Sequence, residues 1–155
     1  MASLVSLGLL PACGFVQRSF KSAAPPVVTI ESARAMPASD ADAARVVYVD
    51  IIAENPNPDD LPILSITYDA TISNGASTFR TTATRTGQAT ISRFGAQRIA
   101  LPIAVPVEQL ANPASFTIQG QLEYLRPSAI AQTLNENGAG GSRLAFQGAG
   151  VIAAQ

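Results

Sequence analysis

The ten residues Leu64 to Ser73 read LSITYDATIS, and their alternation decides the fold class. Leu64, Ile66, Tyr68, Ala70 and Ile72 fall on one side of an extended chain, and Ser65, Thr67, Asp69, Thr71 and Ser73 on the other, because successive strand side chains point to opposite faces. One apolar face and one polar face is the pattern of antiparallel sheet covering a core on one side only. The pattern recurs at Phe116 to Tyr124, where Phe116, Ile118, Gly120, Leu122 and Tyr124 share a face. It recurs at Arg98 to Val105, with Ile99, Leu101, Ile103 and Val105 together. Less regular copies run over Val27 to Arg34, Arg45 to Ala53, Thr78 to Thr84, Ala89 to Arg93 and Leu144 to Ile152. The spacing predicts an all-β domain, a sandwich or barrel of about seven or eight antiparallel strands separated by Gly, Pro, Asn and Asp clusters. One short helix is predicted at Val107 to Ala111, which Pro106 suits as a start and Asn112-Pro113 stops.

Composition narrows the function classes. The 155 residues are 47% apolar, enough for one core, and carry a net charge of -1 with no basic block to follow a phosphate backbone. Nucleic acid is therefore not an expected partner. Histidine is absent, which removes the commonest general base and the commonest imidazole metal ligand. No Gly-x-Ser-x-Gly, phosphate loop or dinucleotide fingerprint occurs. Asp50 and Asp69 read as solvent-facing acids on the polar sides of their strands. The chain is expected to be no enzyme, with no cofactor, no metal and no evident small-molecule substrate. Arg80, Arg85, Arg93 and Arg98 lie close in sequence and could form a basic face, although interspersed threonines suit a solvated β surface equally well.

The single cysteine, Cys13, permits no internal disulfide. Residues 1–12, MASLVSLGLLPA, form a short apolar run without an acid, ending in a proline and a small residue before Cys13 and Gly14. This resembles a bacterial lipobox, with Leu10 three before and Ala12 one before the cysteine. The resemblance implies cleavage before Cys13 and acylation of its thiol and amine, although no Lys or Arg precedes the run and the run is short. Residues 13–26 then read as a tether, QRSFKSAAPP having the Ser, Ala and Pro content of one. The folded domain is expected over residues 27–155. A membrane partner would be held through acyl chains, with no other segment nearing the ~20 apolar residues of a span.

The segment Glu54 to Pro62, ENPNPDDLP, separates two apolar strands. Proline after asparagine keeps Asn55 and Asn57 out of the helical region, and Pro56 and Pro58 lack the amide hydrogens that a sheet ladder needs. The asparagine side chains can satisfy backbone groups that the corner leaves unpaired. Asn55, Pro56, Asn57 and Pro58 are thus expected to be a structural strand terminator. Glu54, Asp59 and Asp60 offer oxygen ligands for a cation as a second reading, but their spacing does not match an EF-hand loop. Pro37 to Ala44 and Asn135 to Ser142 read as connecting loops.

These elements occur in a telling order: VVYVDIIAENPNP, then LPILSITYDATISNG, a polar strand, a turn at Phe94-Gly95, and RIALPIAVPV. The order resembles the late embryogenesis abundant type 2 family, also called the water stress and hypersensitive response domain. Asn55-Pro56-Asn57, Tyr68 and Leu101-Pro102-Ile103 carry the resemblance, which covers roughly Val27 to Ile152. It implies an immunoglobulin- or fibronectin-III-like β-sandwich and a protective, stress-linked role. Combined with the lipobox, it implies a lipid-anchored, non-enzymatic protein of the bacterial envelope, on the periplasmic side of the outer membrane. An unprocessed N-terminus would instead leave the protein cytoplasmic. The alternative is an interaction subunit of an envelope complex that docks a protein partner through sheet edges or loops, with Val27 to Arg34 and Leu144 to Ile152 as the expected edges.

Overall fold

A computed structural model of the chain describes residues 23–37, 44–110, 113–126 and 141–153. Cys13, the lipobox and most of the tether lie outside the described residues, as do the central parts of the two expected loops. Among the described residues seven strands are present: β1 Val27–Ala35, β2 Ala44–Glu54, β3 Leu61–Ser73, β4 Thr78–Ile91, β5 Ala96–Pro106, β6 Ser115–Tyr124 and β7 Ser142–Ala153. The all-β class is as the alternation predicts.

The strands form one sheet in the order β4-β3-β6-β7-β1-β2-β5. All pairings are antiparallel except β1 with β7, which meet in parallel at Ala33↔Ile152 and Arg34↔Ala153. The sheet is therefore mixed, and it curls until its two outer strands approach each other. The Arg85 guanidinium on β4 donates to the Ala100 carbonyl on β5 and bridges the seam of a nearly closed barrel. The short β7–β1 pairing joins the four strands β4-β3-β6-β7 to the three strands β1-β2-β5. β4 and β5 take the outer positions, while the expected edges β1 and β7 pair with each other only at the two positions just named and elsewhere each has one ladder partner.

The core is a single cluster inside the curl. Val47, Val49 and Ile51 of β2 meet Ile66, Tyr68 and Ile72 of β3, with Leu101, Ile103 and Val105 of β5 and Ile118 and Leu122 of β6. Burying each of these branched side chains contributes about 1.5–3 kcal/mol. Tyr68 is 2% exposed and spans the interior, its hydroxyl donating to the Pro102 carbonyl at 2.6 Å. Burial raises the Tyr68 phenol above its ordinary value, against an opposing pull from the Arg85 charge.

Three local expectations need correction. Thr78 to Thr84 and Ala89 to Arg93 are not two strands, because β4 runs through Arg85-Thr86-Gly87-Gln88 without a break. The polar Gly-containing stretch lies beside an irregularity: Ile63 pairs with Ala89 and Ser65 with Thr86. A bulge there shifts the facing by one residue. Leu61 and Ile63 point inward before it and Ile66 to Ile72 after it, which leaves Leu64 only partly buried. A Cβ on Gly87 would sit 2.8 Å from the Ile63 carbonyl oxygen, so glycine permits this close approach. Finally, the predicted helix is one 3-10 turn, Val107–Leu110.

Candidate functional site: the pole held by the Asn-Pro-Asn corner

One end of the barrel collects the start of β1, the end of β2, the starts of β3 and β5 and the ends of β4 and β6. The Asn-Pro-Asn corner stands at its centre. Asn55 and Asn57 are only 2% and 4% exposed, although both are amides at the mouth of a barrel. Asn55 Nδ2 donates to the carbonyls of Asp59 at 2.7 Å, Ile91 at 3.2 Å and Ser92 at 3.3 Å. Asn55 Oδ1 accepts from Asn57 N and Asn57 Nδ2, each at 3.0 Å. Asn57 then pins the incoming chain: its Nδ2 donates to the Ala24 carbonyl at 2.9 Å, and its Oδ1 accepts from Ala24 N at 2.8 Å.

The two amides therefore tie together three segments that are 33 to 37 residues apart in sequence. A side-chain amide has two donors and a two-lone-pair acceptor, so it can replace the ladder partners that Pro56 and Pro58 cannot supply. The corner is a hydrogen-bonded staple as well as the end of β2. Pro56 and Pro58 stay exposed on its outside.

The staple also fixes the β4–β5 turn. Asn57 O accepts from Phe94 N at 3.0 Å, Asn55 N donates to Gly95 O at 2.8 Å, and Gly95 N donates to Ser92 O at 2.9 Å. Asp60 Oδ1 accepts from Arg93 N at 3.0 Å. Held this way, Phe94 takes a left-handed backbone conformation, φ 50°, and its side chain is 71% exposed. A bulky residue in that region costs about 1–2 kcal/mol, which a glycine or asparagine would avoid. Beside it, Val27 is 50% exposed, and Val27, Pro56 and Phe94 rim one shallow hollow with Gly95 and Ala96. Sequence reasoning placed a turn at Phe94-Gly95 but gave no role to the aromatic. Its signal was there: a phenylalanine in a turn where glycine is expected.

The second cation reading finds no support in the donor set. Asp60 is occupied by Arg93 N, and among the described residues no three of His, Cys, Asp and Glu converge. Among the same residues, no helix is long and apolar enough to cross a membrane.

Asp50 departs from its expected exposure. It is 3% exposed and paired through Oδ2 with Arg34 Nε at 3.3 Å. Its cross-strand neighbours are Ser32 and Ala100, too small to fill the space above it. Arg34 lies over the ring of Tyr48, 5.2 Å from guanidinium carbon to centroid, and covers the acid. Asp50 Oδ1 has no hydrogen-bond partner among the described residues. The four arginines do not make one basic face. Arg85 serves the seam, Arg93 stands at the staple, Arg98 pairs with Glu31, and Arg80 flanks the outer surface of β3.

That outer surface is uniform in another way. Across β4, β3, β6 and β7 the register aligns Thr82, Asp69, Gln119 and Gln147 in one row, and Thr84, Thr67 and Gln121 in the next. Arg80, Thr71 and Thr117 follow on the other side. Thr82 Oγ1 donates to Asp69 Oδ1 at 2.5 Å, and the Thr67 and Thr84 hydroxyls lie 3.1 Å apart. Within each row hydroxyls and amides follow one another at the strand spacing of ~4.8 Å, with Asp69 and Arg80 the charges among them.

No family model matches the chain, and no curated protein does. Solved structures do match. The Arabidopsis thaliana protein AT1g01470 superposes with a TM-score of 0.57 at 13% identity, over 91% of this chain and 90% of that one. A candidate late embryogenesis abundant (LEA) protein, At2g46140.1, superposes with a TM-score of 0.53 at 14% identity, over 82% of this chain and 71% of that one. At such identities the likeness is one of fold, and the fold of this chain is a late embryogenesis abundant-like β fold.

Proposed function

We propose that this chain is a lipid-anchored, non-enzymatic protein of the bacterial envelope whose β domain protects other proteins or membranes when water is scarce. Acyl chains on Cys13 hold it to the periplasmic side of the outer membrane, and the curled sheet acts as a variant of the immunoglobulin- or fibronectin-type sandwich whose halves are joined along β7 and β1. The observation that carries the reading is the outer face of β4, β3, β6 and β7. Its rows of Thr and Gln, pinned at fixed spacing, can accept and donate hydrogen bonds in place of departing water without undergoing charge pairing. The late embryogenesis abundant-like fold and the sequence resemblance to the water stress domain support the same role.

Drying a labile reporter enzyme with the purified protein tests it. The expected result is retained reporter activity that falls when Thr67, Thr84, Gln119 and Gln121 are replaced together by alanine. Equal protection by an unrelated β protein of the same mass defeats the proposal. A second reading rests on β4, the outermost strand among the described residues, which could add a strand from a protein partner. A stoichiometric partner lost on an edge Thr81→Pro substitution would favour that reading.

A further inference from the structure

Two ends of the barrel expose apolar side chains. At the staple end these are Phe94 and Val27; at the other end they are Met36, Val46, Val107 and Val151. Their surroundings differ in what reaches them. Ala24 is tied to Asn57, so the described chain begins at the staple end. From Cys13 to Ala24 is a path of 11 residue steps. As a relaxed coil it spans ~17–20 Å, and fully extended it spans ~36–40 Å. The eleven-residue β2 alone is ~36 Å long. An anchored Cys13 therefore sets the staple end toward the lipid at little cost, and the opposite end only if the tether runs taut along the whole barrel.

We infer that the staple end is a membrane-facing surface, on which Phe94, flanked by Val27 and Pro56, rests in the headgroup and acyl boundary of a lipid bilayer. The inference rests on acylation of Cys13 and adds what the domain does once it is held there. Three observations meet in it. Phe94 occupies a strained backbone conformation that the buried Asn55-Asn57 pair enforces from below, and rigidity of this kind displays a side chain rather than hiding it. Val27, Pro56 and Phe94 share one hollow, so the apolar surface is continuous across two segments. The exposed ionic groups around it, Arg93 and Arg126 against Glu54, Asp59 and Asp60, leave no cationic surplus. The contact is thus hydrophobic and independent of anionic lipid. One aromatic residue does not hold a protein on a bilayer unaided. The tether supplies the missing term by keeping its local concentration high.

The chain contains no tryptophan, which makes the test clean. The acylated full chain carrying Phe94→Trp is reconstituted into zwitterionic phosphatidylcholine vesicles with bromine at defined acyl depths. A second preparation carries Val27→Trp, in case the first variant folds poorly, and a third carries Val107→Trp at the far end. The expected result is a blue-shifted, bromine-quenched emission from Phe94→Trp and Val27→Trp, unchanged by added salt, with no quenching of Val107→Trp. Unquenched emission from both near-end variants, in protein that still floats with the vesicles, overturns the inference and leaves the anchor standing. Equal quenching at Val107→Trp overturns it as well. Protein that does not float with the vesicles at all overturns both the anchor and the orientation built on it.

Discussion

Replacing Asn55 by alanine probes the part of the molecule on which most else depends. The substitution removes one amide that serves the Asp59, Ile91 and Ser92 carbonyls and accepts from Asn57 N and Nδ2. Two donors cannot fully satisfy three carbonyls, so the contacts at 3.2 and 3.3 Å count as one shared bond. The variant then strands two to three buried polar groups. At about 1–2 kcal/mol each, with some relief by water at the outer Asp59 carbonyl, the loss is about 2–5 kcal/mol. In a protein of this length that corresponds to about 6–15 °C in Tm.

Urea unfolding followed by circular dichroism measures it, with the exposed Asp59→Ala as a control expected to change stability by less than about 0.5 kcal/mol. Asn55→Asp sharpens the test. The new carboxylate keeps the accepted bonds but faces three carbonyl oxygens, so its protonated form is favoured in the folded state and its pKa rises. Stability retained below the carboxylate's ordinary pKa of about 3.9 is then lost as pH rises. A loss for Asn55→Ala no larger than that of Asp59→Ala would refute the staple, as would an Asn55→Asp variant more stable at neutral pH than in acid.

The remaining predictions concern the core and the outer face. Gly120→Ala places a Cβ 2.6 Å from both the Thr67 carbonyl oxygen and the Phe146 ring, and should cost about 1–3 kcal/mol by urea unfolding. Tyr68 has a raised pKa, so its contribution is complete below pH ~10 and is lost as pH rises through the higher folded value. Alkaline unfolding should accordingly be shallower in Tyr68→Phe, which at neutral pH loses about 1 kcal/mol with the Pro102 hydrogen bond. Arg34→Ala leaves the buried Asp50 carboxylate uncovered and should destabilise by about 1–3 kcal/mol, part of which returns in the double variant with Asp50→Asn.

The strands with unbroken alternation were legible without coordinates. Phe116 to Tyr124 and Arg98 to Val105 bury the residues their period selects, because burial on one face is all that the pattern encodes. The bulge near Leu64 was not legible. Apolar residues stand on both sides of it, and a one-residue phase change cannot be told from a continuous run. Asp50 misled for a related reason: its cover is Arg34, which reaches across from the neighbouring strand over the small residue Ser32, an adjacency that appears only once the sheet is assembled. Strand order is equally non-local: it put β4 and β5 at the outer positions and joined β1 to β7 over two residue pairs. At the Asn-Pro-Asn corner the two prolines announced the end of β2. The partners of the asparagines, Ala24, Ile91 and Ser92, are distant in sequence and left no local mark.

Intact mass of the protein isolated from its own cells tests the central proposal most directly. The account predicts loss of Met1 to Ala12 and the mass of two or three acyl chains on the fragment that begins at Cys13. A chain that retains those residues, or begins at an unmodified cysteine, contradicts it.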